Sequence, residues 1–207
     1  MKLYYTPGAC SLSPHIVARE AGLLIALEKV DIKAPARRTQ SGADYTTVTA
    51  KTYVPALELE NGEVLTEGPA IVQFLADQAP ETKLAPPATS FERYRLQEWL
   101  NFIGTELHKT FAPLFHPDHG EQAAAQARAK LAQRFAFLDR HLSSHDFLMG
   151  EQFTVADAYC FTIANWSAFV RLDLSAFASL TTYLDRIAAR PKVREALQAE
   201  GLLHAAR

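Results

Sequence analysis

The sequence predicts an α/β domain followed by an all-α domain, and three observations carry that expectation. A βαβ pattern and an Asn-Gly hairpin fit within the first 80 residues. Helical periodicity is almost unbroken from Ser90 onward. Between the two, Ala79 to Thr89 holds three prolines and few apolar side chains. The expected domains are therefore 1–80, a linker at 81–89, and 90–207.

Each element has its own signal. Lys2 to Thr6 is a run of bulky residues broken by Pro7-Gly8, and Ser13 to Leu24 repeats apolar residues at helical spacing. Ala26 to Ile32 alternates apolar and charged residues and reads as a second strand. Ala56 to Glu60 and Glu63 to Thr66 flank Asn61-Gly62, the dipeptide suited to a type I′ turn, in which both central residues need positive φ. Gly68 to Gln78 places Ile71, Val72, Phe74 and Leu75 on one broad helical face. These pieces make a four-stranded mixed sheet with helices upon it. The later helices are expected at Phe91 to Leu114, Gln122 to Leu142, Val155 to Val170, Leu180 to Ala189 and Lys192 to Ala199.

Composition removes several classes of partner. The 207 residues are 48% hydrophobic, enough for a substantial core. With 21 basic and 23 acidic side chains the formal charge is -2, which suits neither a nucleic-acid backbone nor an anionic membrane. Two cysteines, Cys10 and Cys160, allow no disulfide framework and no Cys-x-x-Cys pair, and point to a reduced cytoplasmic setting. Met1 to Tyr5 enters a strand pattern at once, so no secretory leader is expected. Ala158 to Val170 is too short to cross a bilayer, which takes roughly 20 residues. A small-molecule partner is the expectation.

Chemistry concentrates in a few places. Cys10 follows a strand and precedes a helix, where backbone N–H groups and the dipole favour a thiolate; a lone cysteine is otherwise a small core residue, which is the reading for Cys160. Ser13 is read as the N-cap of the first helix, with Pro14 in its first turn. Val54-Pro55 precedes a strand; a cis bond there would expose the Val54 backbone as a docking edge for a peptide, while a trans proline would simply open an edge strand. Glu67-Gly68 opens a helix whose N–H groups could hold a carboxylate while Glu67 pairs with an ammonium; equally, Thr66 could be only a cap. His108-Lys109 could offer a donor and a positive charge to a thiolate. His116-Pro117-Asp118-His119 is too sparse to read as a zinc site, and no metal is expected. Thr154-Val155-Ala156-Asp157 has capping-box spacing and reads as a folding device.

Pro7-Gly8-Ala9-Cys10-Ser11, Val54-Pro55-Ala56-Leu57, Thr66-Glu67-Gly68-Pro69-Ala70-Ile71, Glu98-Trp99-Leu100-Asn101, Glu106-Leu107-His108-Lys109 and Phe153-Thr154-Val155-Ala156-Asp157-Ala158-Tyr159 together resemble the bacterial beta-class glutathione transferases, from Met1 to about Gly201. The resemblance implies a thioredoxin-like domain and a helical domain, in a cytoplasmic homodimer that serves detoxification with glutathione in the interdomain cleft. No tightly bound cofactor is implied; glutathione is the co-substrate. It further implies that Val54-Pro55 is cis.

Carried over by this resemblance, Cys10 and His108 are the catalytic residues, with Cys10 at the glutathione sulfur and able to form a mixed disulfide with it. Val54 would pair by backbone with the cysteinyl unit, next to Pro55, and Glu67 and Gly68 would hold the γ-glutamyl end. Tyr5, Ser11, Lys51 and Lys109 complete the expected glutathione contacts, and Asn101 would reach toward the ligand of the other subunit. The glycyl carboxylate falls to Arg37, with Lys33 the alternative, because Lys33 to Arg38 is longer than the family pattern. Ala9, Phe111, Phe115 and Trp166, with Tyr5, are the expected electrophile site. The expected activity is conjugation of the glutathione thiol to small hydrophobic electrophiles. Thiol–disulfide exchange through Cys10 and non-catalytic binding of hydrophobic ligands are the alternatives.

Overall fold

The computed structural model describes residues 1–203, which form two compact units. The first comprises Met1–Ala85 together with the chain from Arg190 onward, and the second Pro86–Ala189. The break between Ala85 and Pro86 falls in the proline-rich stretch. The segment from Arg190 onward, expected in the helical domain, instead belongs with the first unit. There Arg190 forms a two-pronged ion pair with Glu20, Nε to Oε1 at 2.7 Å and Nη2 to Oε2 at 2.8 Å.

In the first unit the order is β1 (Lys2–Tyr5), α1 (Leu12–Glu20), β2 (Ala26–Lys29), β3 (Ala56–Glu58), β4 (Val64–Thr66) and α2 (Gly68–Asp77), with α9 (Pro191–Ala199) returning to pack on α1. The strands lie in the order β2-β1-β3-β4, with β1 parallel to β2 and antiparallel to β3, and β3 antiparallel to β4. Leu3 pairs with Leu57 in register and both are fully buried, whereas Tyr4 and Ala56, one step along, point to the opposite face. That second face gathers Tyr4, Val30, Tyr45, Val54 and Ala56 into a cluster against which Ala9 packs.

Two local expectations change. The first helix ends at Glu20 rather than Leu24, because Gly22 takes a φ of 68° and closes the end: Leu23 N–H donates to Ala18 O at 2.9 Å and Gly22 N–H to Arg19 O at 3.1 Å. The hairpin is real, but its turn is not type I′. Only Gly62 has positive φ (84°), while Gly62 N–H donates to Leu59 O and Leu59 N–H to Glu63 O. This is a three-residue loop ending in a left-handed glycine, and Asn61 caps it by accepting from Glu63 N–H at 3.0 Å.

The second unit contains α3 (Phe91–Phe102), α4 (Ala112–Phe115), α5 (Glu121–Leu142), α6 (Val155–Ala164), α7 (Trp166–Phe169) and α8 (Ala178–Ala188) around a core that includes Leu96, Leu100, Ile103, Leu107, Phe111, Leu131, Phe135, Ile163 and Tyr183. The single helix expected from Phe91 to Leu114 is interrupted. A π-turn spans Ile103–Leu107 and a 3₁₀ turn His108–Phe111 before α4 begins. Pro113 gives the reason for the second interruption, since its ring would collide with the carbonyl four residues back and it has no N–H to donate. α6 opens on the expected capping box: Asp157 Oδ2 accepts from Thr154 N–H at 2.7 Å and from its hydroxyl at 2.9 Å. Asp157 Oδ1 accepts from Leu148 N–H at 2.8 Å and Tyr183 hydroxyl at 3.0 Å. No described helix is long and apolar enough to cross a membrane.

Candidate functional site

In the first unit the thiol sits on the loop between β1 and α1. Ala9 N–H donates to Thr6 O and Leu12 N–H to Ala9 O, both at 3.0 Å, so the loop is wound before the helix starts. Cys10 is partly exposed, and its Sγ lies 3.3 Å from the carbonyl oxygen of Val54. The Val54-Pro55 peptide bond is cis, and both residues are buried at the edge from which β3 leaves. Thus the thiol and the expected docking edge are adjacent.

Ser11 has a different place from the one expected. It is fully buried, its hydroxyl donating to Thr6 O at 3.2 Å and accepting from Thr6 N–H at 3.1 Å, so it shapes the loop and has no surface for a ligand. Ser13 is also not the side-chain cap: its hydroxyl donates back to Cys10 O at 2.8 Å, and Ser11 occupies the cap position. Tyr5 is buried, its ring 6.3 Å from that of His15, and burial pushes its phenol above the ordinary value.

Glu67 stands at the start of α2 with φ 73° and ψ 112°, a region side chains rarely occupy and one associated with ligand sites. Its carboxylate is exposed, with Lys51 Nζ at 2.5 Å and Tyr53 hydroxyl at 2.9 Å on the same oxygen. That hydrogen bond to Glu67 holds the Lys51 ammonium above its usual pKa. The cation on the carboxylate is the Lys51 ammonium of the chain itself, where the sequence reading placed that of a ligand. Thr66 provides no cap, for the helix has no side-chain N-cap bond. Gly68 lies against Pro55: a Cβ on it would come 3.9 Å from the proline Cγ.

Of the two candidate bases near the second strand, Arg37 is partly buried and Lys33 exposed. Arg37 Nη1 donates to the carbonyl oxygen of Thr52 and, at 3.0 Å, to the Thr52 hydroxyl, while Thr52 has a left-handed φ of 57°. This brings Arg37 to the segment that leads into Val54. The Lys33 main chain is instead folded onto Asp31, whose carboxylate accepts from Lys33 N–H at 3.0 Å.

One group that sequence reasoning missed is Glu200. It is buried just past α9, with Oε2 accepting from the Gly8 N–H at 2.9 Å and Oε1 2.8 Å from Nδ1 of the fully buried His15. The thiol loop is thereby tied to residues almost 200 positions away. Nothing in the local sequence around Glu200 signals this.

In the second unit the expected residues gather on the interrupted helix. His108 opens the 3₁₀ turn; its Nδ1 is 2.7 Å from the Tyr159 hydroxyl, and its ring meets Trp166 edge-on at 4.8 Å. Phe115 meets Trp166 at 5.3 Å, and Phe111 meets both Phe115 and Trp166. Phe115 is 41% exposed and Trp166 8%, but Phe111 has no exposed surface, so it backs this cluster and cannot line an electrophile site. Lys109 and Asn101 are exposed. Glu106, in the π-turn, is held by Arg134 Nη2 at 2.6 Å and Lys130 Nζ at 3.3 Å from α5, and the Arg134 hydrogen bond lowers its pKa. Tyr159 is the second residue that sequence reasoning missed; it entered only as the last residue of the Phe153 to Tyr159 motif, with no role of its own.

Cys160 is fully buried and its thiol is pushed up to about 12 by burial, as a core residue should be. His116 and His119 stack at 5.3 Å, and among the described residues no group of three or more potential metal ligands is present.

Residues 8–78 match the glutathione S-transferase N-terminal domain model, and residues 102–191 the C-terminal domain model. The chain is 45% identical over 202 residues to glutathione S-transferase GstA of Escherichia coli O157:H7, spanning 98% of this chain and 100% of that protein. A sphingomonad glutathione S-transferase structure complexed with glutathione is 45% identical with a TM-score of 0.93, covering 98% of this chain and 100% of that one. The bacterial beta class enzyme of Sphingomonas chungbukensis is 44% identical with a TM-score of 0.94, again covering 98% and 100%. With likeness over nearly its whole length in both sequence and fold, the chain belongs to the glutathione S-transferase family.

Proposed function

We propose that this protein conjugates the thiol of glutathione to small hydrophobic electrophiles, and that it works as a cytoplasmic homodimer. The observation that carries the reading is the Cys10 thiol 3.3 Å from the Val54 carbonyl, beside a cis proline. An extended tripeptide pairing with Val54 would bring its own cysteinyl sulfur to this place. Its γ-glutamyl ammonium would share the Glu67 carboxylate with Lys51, its γ-glutamyl carboxylate would meet the α2 N-terminus at Gly68, and its glycyl carboxylate would go to Arg37.

The reaction requires loss of the thiol proton, attack of the thiolate on an electrophilic carbon, and departure of the leaving group with its electron pair. Donors around the sulfur lower its pKa by favouring the anion. We assign that task to the Cys10 loop and His108, with Lys109 adding positive charge and Phe115 and Trp166 contacting the electrophile. Asn101, exposed on α3, is assigned to the ligand of the other subunit.

A second reading, thiol–disulfide exchange, is favoured by the partial exposure of Cys10 while Cys160 is buried. Cys10 would attack a glutathionylated substrate, release its thiol and hold glutathione as a mixed disulfide until a second glutathione resolves it.

Retention on immobilised glutathione and steady-state turnover of chlorodinitrobenzene test both readings. Binding with turnover that His108→Ala weakens supports the transferase. Binding without turnover, together with exchange abolished by Cys10→Ala, supports the redox reading. Failure to bind glutathione would sink both.

A further inference from the structure

We propose that Tyr159 is a positioning residue for His108: its hydroxyl donates to Nδ1, which fixes the imidazole proton on Nε2 and presents His108 as a hydrogen-bond donor. The inference rests on the transferase reading, because the donor is for the glutathione thiolate.

Both partners of the 2.7 Å contact could donate, and their chemistry decides between them. A phenol is the stronger donor, and an sp² imidazole nitrogen the stronger acceptor, so O–H to N is the favoured direction. A neutral imidazole carries one proton; if Nδ1 accepts, Nε2 must hold it. The ring is also held against rotation, with Trp166 edge-on at 81° and Tyr159 at 79°. A flip about the ring bond would carry Nδ1 away from the hydroxyl and put a carbon in its place.

The backbone is built to make this meeting. Tyr159 is 3% exposed on α6, and every residue from Val155 to Ala164 is buried there. A buried phenol needs a partner. The π-turn at Ile103–Leu107 immediately precedes His108, and π-turns recur at functional sites. Within that turn Gly104 approaches the same hydroxyl: a Cβ added to it would lie 3.7 Å from Tyr159 Oη. Glu106, bound to Lys130 and Arg134, anchors the turn on α5.

The test uses the full-length, ligand-free protein with ¹⁵N-labelled histidine, His108 being assigned from the spectrum of His108→Ala. The expected wild-type spectrum has the proton on Nε2, and Tyr159→Phe gives a mixture of tautomers. In turnover of chlorodinitrobenzene, Tyr159→Phe lowers kcat roughly tenfold, the scale of one lost hydrogen bond, while KM for glutathione stays within about twofold. In a His108→Ala background the same change has no further effect on kcat. A wild-type proton on Nδ1 overturns the proposal without touching the transferase reading. Equal loss from Tyr159→Phe in both backgrounds also overturns it, because Tyr159 would then act independently of His108. A wild type that binds no glutathione removes the reading on which the donor role depends and overturns that role with it.

Discussion

Each unit is pinned by one buried carboxylate, and the two differ in how far they reach along the chain. Asp157 in the second unit takes two bonds from Thr154, three residues away, one from Leu148, nine away, and one from Tyr183, twenty-six away. Glu200 in the first unit takes Gly8 N–H and His15, 192 and 185 residues away. Asp157 organises the start of a helix, whereas Glu200 holds the loop that carries the thiol. The shorter ties cap the helix and brace it on its own unit, while the long-range tie links the end of the chain to the loop that carries the thiol.

The comparison breaks most readily at Glu200. Glu200→Ala leaves a buried imidazole and a buried N–H without their acceptor, and we expect a loss of about 3 kcal/mol in urea unfolding together with weaker glutathione binding. Loss of stability with glutathione affinity intact would make Glu200 no different from Asp157. Next, Asp157→Ala should cost about 2 kcal/mol, as its four hydrogen bonds include a helix cap, while turnover of the folded enzyme remains at wild-type level.

The pH dependence sharpens the same contrast. Burial pushes the Asp157 carboxyl up to about 6 from its ordinary 3.8. Between those values the folded state holds a proton that the unfolded chain has released, so stability falls as pH rises through that window and is level above it. The stability difference between wild type and Asp157→Asn, measured by urea unfolding, should fall across that window and level off above it.

Smaller effects complete the series. Thr154→Ala removes the cap hydroxyl and should cost about 1 kcal/mol in the same assay. Gly62→Ala puts a Cβ where φ is 84° but no atom lies within 4 Å, so only the backbone penalty of about 1 kcal/mol applies, with glutathione binding unchanged.

Range along the chain also separates what could be read from the sequence from what could not. The capping box at Thr154 to Asp157, the strand–loop–helix around Cys10 and the hairpin at Asn61-Gly62 are written in a few neighbouring residues, and the structure contains all three. The turn type was misread because Asn61-Gly62 serves two hairpin geometries that differ in the φ of Asn61. The break at His108 is partly legible, since Pro113 forbids a continuous helix, but a π-turn has no signature in apolar spacing. Glu200 and Tyr159 were illegible for a simpler reason. A buried glutamate after a helix and a tyrosine on an apolar helix look like surface and core until their distant partners are in view. Ser11 and Phe111 are both fully buried, because neither membership of a motif nor aromatic character near a helix end fixes which way a side chain faces.

The return of α9 to α1 has a consequence for synthesis on the ribosome. The second unit is a single uninterrupted segment and can close as soon as it has emerged. The first unit begins earlier but lacks its last helix until residues beyond 190 are made. Domains that start first usually finish first; here the order is reversed, and the nascent thiol loop waits, with Gly8 and His15 lacking Glu200, while the whole helical unit is translated.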